Sequence, residues 1–241
     1  MPDDPDFRLD GYKAASRQIE EDFRFFAASA FTTFADHHTA GSRHSYYVLH
    51  DESAAEGFHG EPQIVALYIQ RDPGAKTFHF QSMAVPLPAM AQSWLIARGC
   101  AKTGIGLRAD TGMSSPADDT TRALEERLVD DGDHFALLAS HTDDTSDSPE
   151  ITVLLRAVNA DPMPFRLLHR RVDTITLTHT LREGRFPTYE AAEAWWTTHW
   201  RGSAPGLPAA PANANRLTQR PPAPAPAARP RAGRPPPRRT R

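Results

Sequence analysis

The sequence predicts an α+β protein. Its antiparallel sheets carry packed helices, a helix–three-strand–helix unit occurs twice, and a disordered Arg/Pro-rich C-terminal tail follows. Three observations carry this reading. Helix-period and strand-period stretches alternate in the same order twice between residues 12 and 201. Short fragments recur: Pro62-Gln63-Ile64-Val65-Ala66-Leu67 is echoed by Pro149-Glu150-Ile151-Thr152-Val153-Leu154 at a spacing of 87, and Pro86 with Trp94 by Pro187 with Trp195 at a spacing of 101. Finally, the composition breaks at Gly202, after which come eleven prolines, eight arginines, no aromatic residue and no acid. The expected divisions are a flexible lead-in over 1–11, a first unit over 12–100, a connection over 101–115, a second unit over 116–201 and a tail over 202–241.

The first unit opens with apolar residues at Tyr12, Ala15, Ile19, Phe23, Phe26, Ala30 and Phe34, whose spacing of threes and fours predicts one long helix from Tyr12 to Phe34. Gly41 ends it. Tyr46–His50 is a short strand, Ser53–Glu61 a polar loop and Ile64–Arg71 a strand apolar enough to be central. Asp72-Pro73-Gly74 is a turn, because proline fixes φ and glycine accepts positive φ. Phe78–Ser82 alternates as a third strand, and Pro86 and Pro88 begin a helix with Met90, Trp94 and Leu95 inward.

In the second unit, Ser115 is the expected helix cap, with Pro116 in the first turn and Asp118 at the third helical position. That helix runs to Val129. Strands follow at His134–Ser140, Ile151–Val158 and Phe165–Arg171, with Asp173–Leu181 as a possible fourth, and a last helix spans Thr188–Trp200. From Gly202 onward the chain buries too little to offset its ordering entropy, which predicts an extended, solvated tail rich in polyproline II.

The net charge of −3 hides a division. With the tail's eight arginines set aside, 19 basic residues face 30 acidic ones over residues 1–201, a net of −11. Arginine outnumbers lysine 24 to 3, a composition typical of a GC-rich, bacterial genome, so arginine content alone says little. Cys100 is the one cysteine, which excludes an internal disulfide and fits a reducing, cytoplasmic setting. The acidic N-terminus does not read as a signal peptide, and no apolar run reaches the roughly twenty residues needed to span a bilayer, so no membrane partner is expected.

Few residues suggest chemistry. Asp36-His37-His38 with His44 is the densest histidine cluster, but neither a His-Glu-x-x-His pattern nor a paired Cys/His spacing occurs, so no metal site is expected. The acidic runs Asp130–Asp133 and Asp143–Asp147 lack calcium-loop spacing and its terminal Glu. Gly104-Ile105-Gly106-Leu107-Arg108-Ala109 matches a dinucleotide fingerprint in letters only, because it follows a helix instead of joining a strand to one, and no cofactor is expected. Nothing near Cys100 would lower a thiol pKa.

The tail carries the clearest mechanism. Arg229, Arg231, Arg234, Arg238, Arg239 and Arg241 can follow phosphates and release counterions. Pro230-Arg231-Ala232-Gly233-Arg234-Pro235 resembles the AT-hook, whose core is Pro-Arg-Gly-Arg-Pro, with Ala232 inserted between Arg231 and the matching Gly233-Arg234-Pro235. The resemblance implies arginines laid in a narrow A·T minor groove. The expected function is a non-catalytic intracellular binding protein, with an acidic folded body for a protein partner and a basic tail contacting DNA or RNA. One alternative is a hydrolase-type enzyme using His37, His38 or His44 with a carboxylate such as Asp36. Another is a protein-interaction module whose tail is a spacer.

Overall fold

The computed structural model describes residues 5–56, 60–131, 134–144, 147–200, 202 and 206–208, which belong to one compact unit. Its elements in order are β1 (Lys13–Ala14), α1 (Arg17–Phe26), β2 (Phe31–His38), β3 (His44–Asp51), α2 (Glu52–Glu56), β4 (Ile64–Asp72), β5 (Thr77–Val85), α3 (Pro88–Ala97), β6 (Ser115–Pro116), α4 (Asp119–Asp131), β7 (Phe135–Asp143), β8 (Glu150–Ala157), β9 (Phe165–Asp173), β10 (Thr178–Phe186) and α5 (Tyr189–Trp200). The α+β class holds. Each half has four long antiparallel strands plus a two-residue parallel one, not three strands, and the sheet orders are β1-β5-β4-β3-β2 and β6-β10-β9-β8-β7.

The missing strand of the first half lies inside the expected long helix. Ser16 caps α1 by accepting from the Ile19 amide at 3.2 Å, but the helix stops at Phe26. Phe31-Thr32-Thr33-Phe34 then forms β2, as its β-branched and aromatic content favours. The threes and fours that ran on to Phe34 join a helix face to a strand by coincidence. At the start of α4 the cap is Asp118, not Ser115: its Oδ1 accepts from the Thr121 amide at 2.7 Å, while Ser115-Pro116 pairs with β10. Arg182 beside Asp118 holds that carboxyl well below the usual carboxylate range. Glu52–Glu56, expected in a polar loop, is the short helix α2. Asp173–Leu181, read as one strand, contains a turn before β10.

The two sheets share register as well as order. Residues 101 apart match from β4–β5–α3 to β9–β10–α5, as in Ile64/Phe165, Thr77/Thr178 and Trp94/Trp195. The spacing of 87 pairs β4 with β8, strands at different places in their sheets. Asp72 Oδ1 accepts from Gly74 and Ala75, and Asp173 Oδ1 accepts from Ile175 and Thr176. Lys76 and Leu177 both have positive φ before the next strand. A bulge falls at Phe34 in β2 and at Leu138 in β7.

Packing joins the halves into one structure. α3 packs against α4, and both belong to a continuous core with Val48, Ala66 and Val85 of the first sheet and Val153, Leu155 and Leu168 of the second. The first sheet's other face is covered by α1, the second's by α5. The predicted lead-in carries packing of its own. Phe7 meets Phe23 and Tyr47 edge-on, and the buried Arg71 donates to the carbonyls of Phe7 and Arg8. At the other end, Leu207 packs against the core cluster that includes Phe186 and Trp195, so the folded body extends past the expected boundary at Gly202. A Cβ on Gly184 would lie 2.7 Å from Leu207 Cδ2, so glycine leaves that docking room.

The inner face of the second sheet also buries charge. Glu183 Oε1 accepts from Arg166 Nη1 at 3.0 Å, and Arg127 Nη2 bonds its other oxygen. Arg185 lies beside it, with Asp161 at 3.6 Å from Arg166 and 3.9 Å from Arg185. Arg166 and Arg185 are each 4% exposed.

Candidate functional site

The three histidines singled out in the sequence do not converge. His37 and His38 are successive residues of β2 and point to opposite faces. His37 stacks on Tyr46, which stacks on Tyr68, and His44 Nδ1 bonds the Tyr68 hydroxyl at 2.8 Å. These four rings form a ladder on the face toward α3, and burial pushes the Tyr46 hydroxyl up to about 12, out of range for proton transfer near neutrality. Gly104, from the fingerprint-like stretch, passes so close to this ladder that a Cβ there would sit 2.5 Å from His37 Nδ1. Glycine at 104 is accounted for by that close approach to His37. Cys100 is buried, and burial pushes its thiol up to about 11.

His38 on the other face does meet a carboxylate. Its Nε2 lies 3.1 Å from Asp36 Oδ2 and its Nδ1 2.8 Å from Ser45 Oγ, while Ser45 Oγ accepts from Arg71 Nη1 at 2.9 Å. Burial lowers the His38 pKa, so the neutral ring fits one proton order: Arg71 donates to Ser45, Ser45 to Nδ1, and Nε2 to Asp36. The Ser–His–Asp connectivity matches a nucleophile relay, but the serine does not reach a substrate, because Ser45 has no exposed surface and its oxygen already receives Arg71. Asp36 and His38 instead line an open cavity of about 800 Å³ along the edge strand β2, with His50, Glu52, Arg108 and Asp110 around it.

A second constellation was not expected from the sequence. On the outer face of the second sheet, His169 Nε2 and His199 Nε2 lie 3.2 and 3.3 Å from the same oxygen, Glu150 Oε2. Glu150 opens β8 and pairs with Arg171, while His169 pairs with Thr152, so the two are diagonal neighbours on one face. His199 comes from the last turn of α5 and stacks on Trp195 with the rings 9° from parallel. Arg171 Nε sits 3.3 Å from the other Glu150 oxygen. Burial lowers the His169 pKa against the pull of Glu150. The three ligand atoms, all within 4.8 Å of one another, make the one group of this kind found among the described residues. Its members stand 19 and 30 residues apart on three elements, a spacing no short motif encodes.

The tail arginines Arg229, Arg231, Arg234, Arg238, Arg239 and Arg241 and the AT-hook-like stretch lie outside the described residues. Comparison of the chain with protein-family models, curated proteins and solved structures found no match. Among the described residues, no helix is long and apolar enough to cross a membrane.

Proposed function

We propose that the protein is a non-catalytic binding protein whose acidic body holds a protein partner and whose basic tail contacts nucleic acid. The charge division supports this reading: six arginines fall within residues 229–241, after a body at −11. A cytoplasmic setting belongs to the same proposal, supported by a single, unpaired cysteine. So does an origin of the two halves by internal duplication, supported by the shared strand order, the spacing of 101, the matched bulges and the matched Asp-headed turns.

The test is a salt titration of duplex DNA and RNA binding. The full chain is compared with one in which the six arginines are changed to Gln. Each phosphate neutralised contributes about 0.9 to the log–log slope on duplex DNA, so the variant's slope falls by as much as about 5. Equal binding by both chains, or no binding at low salt, removes the nucleic-acid reading. Partner binding that survives high salt supports the spacer-tail alternative. A chain shortened for the same purpose should end at Ala209, since ending at Gly202 removes Leu207 from the core.

The enzyme alternative rests on one observation, the Asp36–His38 pair opening on the cavity. In that reading Asp36, held by the His38 ring, acts as a general base toward a bound water at the cavity. Ester or amide turnover abolished by Asp36→Asn would support it. No turnover across a broad substrate panel would end it.

A further inference from the structure

We propose that Glu150, His169 and His199 bind one divalent metal ion of the zinc type. The two carboxylate–imidazole distances are already those of a ligand set, and all three ligand atoms lie within 4.8 Å of one another. Zinc–nitrogen and zinc–oxygen bonds of about 2.0–2.2 Å at tetrahedral angles place neighbouring ligand atoms roughly 3.3–3.6 Å apart. Glu150 Oε2 stands 3.2 Å from His169 Nε2 and 3.3 Å from His199 Nε2. An ion enters by replacing the two ring hydrogens that now point at one oxygen, and the side chains spread by a few tenths of an ångström. Each imidazole then carries its proton on Nδ1 and offers Nε2 as the ligand.

The frame is fixed before the ion arrives. Two ligands sit on paired strands in fixed register, and the third is held by its stack on Trp195, itself only 9% exposed. Arg171 occupies the carboxylate's other oxygen, which directs Oε2 to the ion and favours one-oxygen binding. The ligand side chains are 16–28% exposed, which leaves an entry path and room for water at a fourth position. Two imidazoles with one carboxylate suit zinc and its first-row neighbours. Magnesium and calcium prefer all-oxygen shells.

The first sheet supplies an internal contrast. At matching places it carries His44, Tyr68 and Arg98, where Arg98 covers Trp94 as His199 covers Trp195. A guanidinium and a phenol at these places leave one imidazole, so the first sheet holds no cation there. The ion would tie the last turn of α5 to β8 and β9, so binding should raise the unfolding temperature.

The test uses the full chain, stripped with chelator and desalted, then titrated with Zn2+ against a chromophoric chelator. One equivalent is expected to bind per chain. Glu150→Gln, His169→Gln and His199→Gln should each weaken it by at least tenfold, whereas His37→Gln and His44→Gln should leave it unchanged. Circular dichroism checks that each variant folds. X-ray absorption on the wild-type protein gives a reading independent of any variant, with two imidazole nitrogens expected in the first shell. The absence of a bound equivalent, affinity unchanged in the three variants, or a first shell without two imidazoles would overturn the proposal.

Discussion

Glu183→Gln tests whether the charge buried under the second sheet is as desolvated as the packing indicates. Three guanidiniums, of Arg127, Arg166 and Arg185, surround two carboxylates, of Glu183 and Asp161. The surplus is one positive charge. The Gln isostere keeps the shape but raises the surplus to two, and it leaves Arg166 without its 3.0 Å carboxylate contact. Side chains of Glu183, Arg166 and Arg185 are 8%, 5% and 3% exposed, so water compensates little. Breaking a pair buried to this degree costs about 3–5 kcal/mol. At about 2–4 °C per kcal/mol for a protein of this size, the midpoint falls by roughly 6–20 °C. Arg127→Met, by contrast, leaves two cations facing two anions, and Arg127 is 33% exposed, so its cost should be only about 1 kcal/mol. Calorimetry or urea melts on both variants decide the matter. If Glu183→Gln costs less than Arg127→Met, the cluster is hydrated and the burial argument fails.

Two other substitutions probe the first half. Gly104→Ala puts a methyl group 2.5 Å from His37 Nδ1 and should cost about 1–3 kcal/mol, most of it recovered when His37→Ala is added; a neutral single variant would mean that the chain does not pass this close. His38 should give stability a pH slope. Its folded pKa is lowered by burial below the ordinary 6.5, so the unfolded chain takes up the proton first as pH falls. The stabilisation is whole above pH 6.5 and is lost as pH drops through the folded value, with a slope of up to about 1.4 kcal/mol per pH unit. His38→Gln should flatten the denaturant-melt slope between pH 7 and 5, and coincident wild-type and variant slopes would refute the proton order from Arg71 to Asp36.

What the sequence conveyed depended on how local the signal was. The dense apolar run over Ile64–Arg71, the Asp72-Pro73-Gly74 turn and the prolines before α3 report local geometry, and each stands where expected. The helix over Tyr12–Phe34 failed because a 3.6-residue period and a strand of mixed aromatic and threonine residues can share the same apolar positions. The packing of Phe7 and Leu207 was illegible because both sit in stretches of turn-forming composition, and what fixes them is distant: Arg71 and Tyr47 for one, Gly184 for the other. The histidines show the same limit. Adjacency in sequence suggested a cluster at His37, His38 and His44, yet strand alternation is what separates His37 from His38.

The distribution of imidazoles also says where chemistry should be sought. His37 and His44 are committed to the ladder with Tyr46 and Tyr68, and His38 is committed to Ser45 and Asp36. His38 and His44 each have a structural partner at both the ring and the polar edge, and His37 has one at the ring. The corner between the last helix and its sheet is built differently. Trp94 and Trp195 hold the same position in the two halves, and each carries a flat group from the following turn, Arg98 in one and His199 in the other. Arg98 completes its corner by donating to Gln81 at 2.9 Å and to the Trp94 carbonyl, which gives a closed arrangement needing nothing further. His199 brings a second imidazole to a carboxylate that already has one, so a single oxygen must accept from both. One oxygen facing two donor rings is satisfied by hydrogen bonds alone but gains more from a cation. The fold itself does not require that arrangement, because the first half forms the same corner without it.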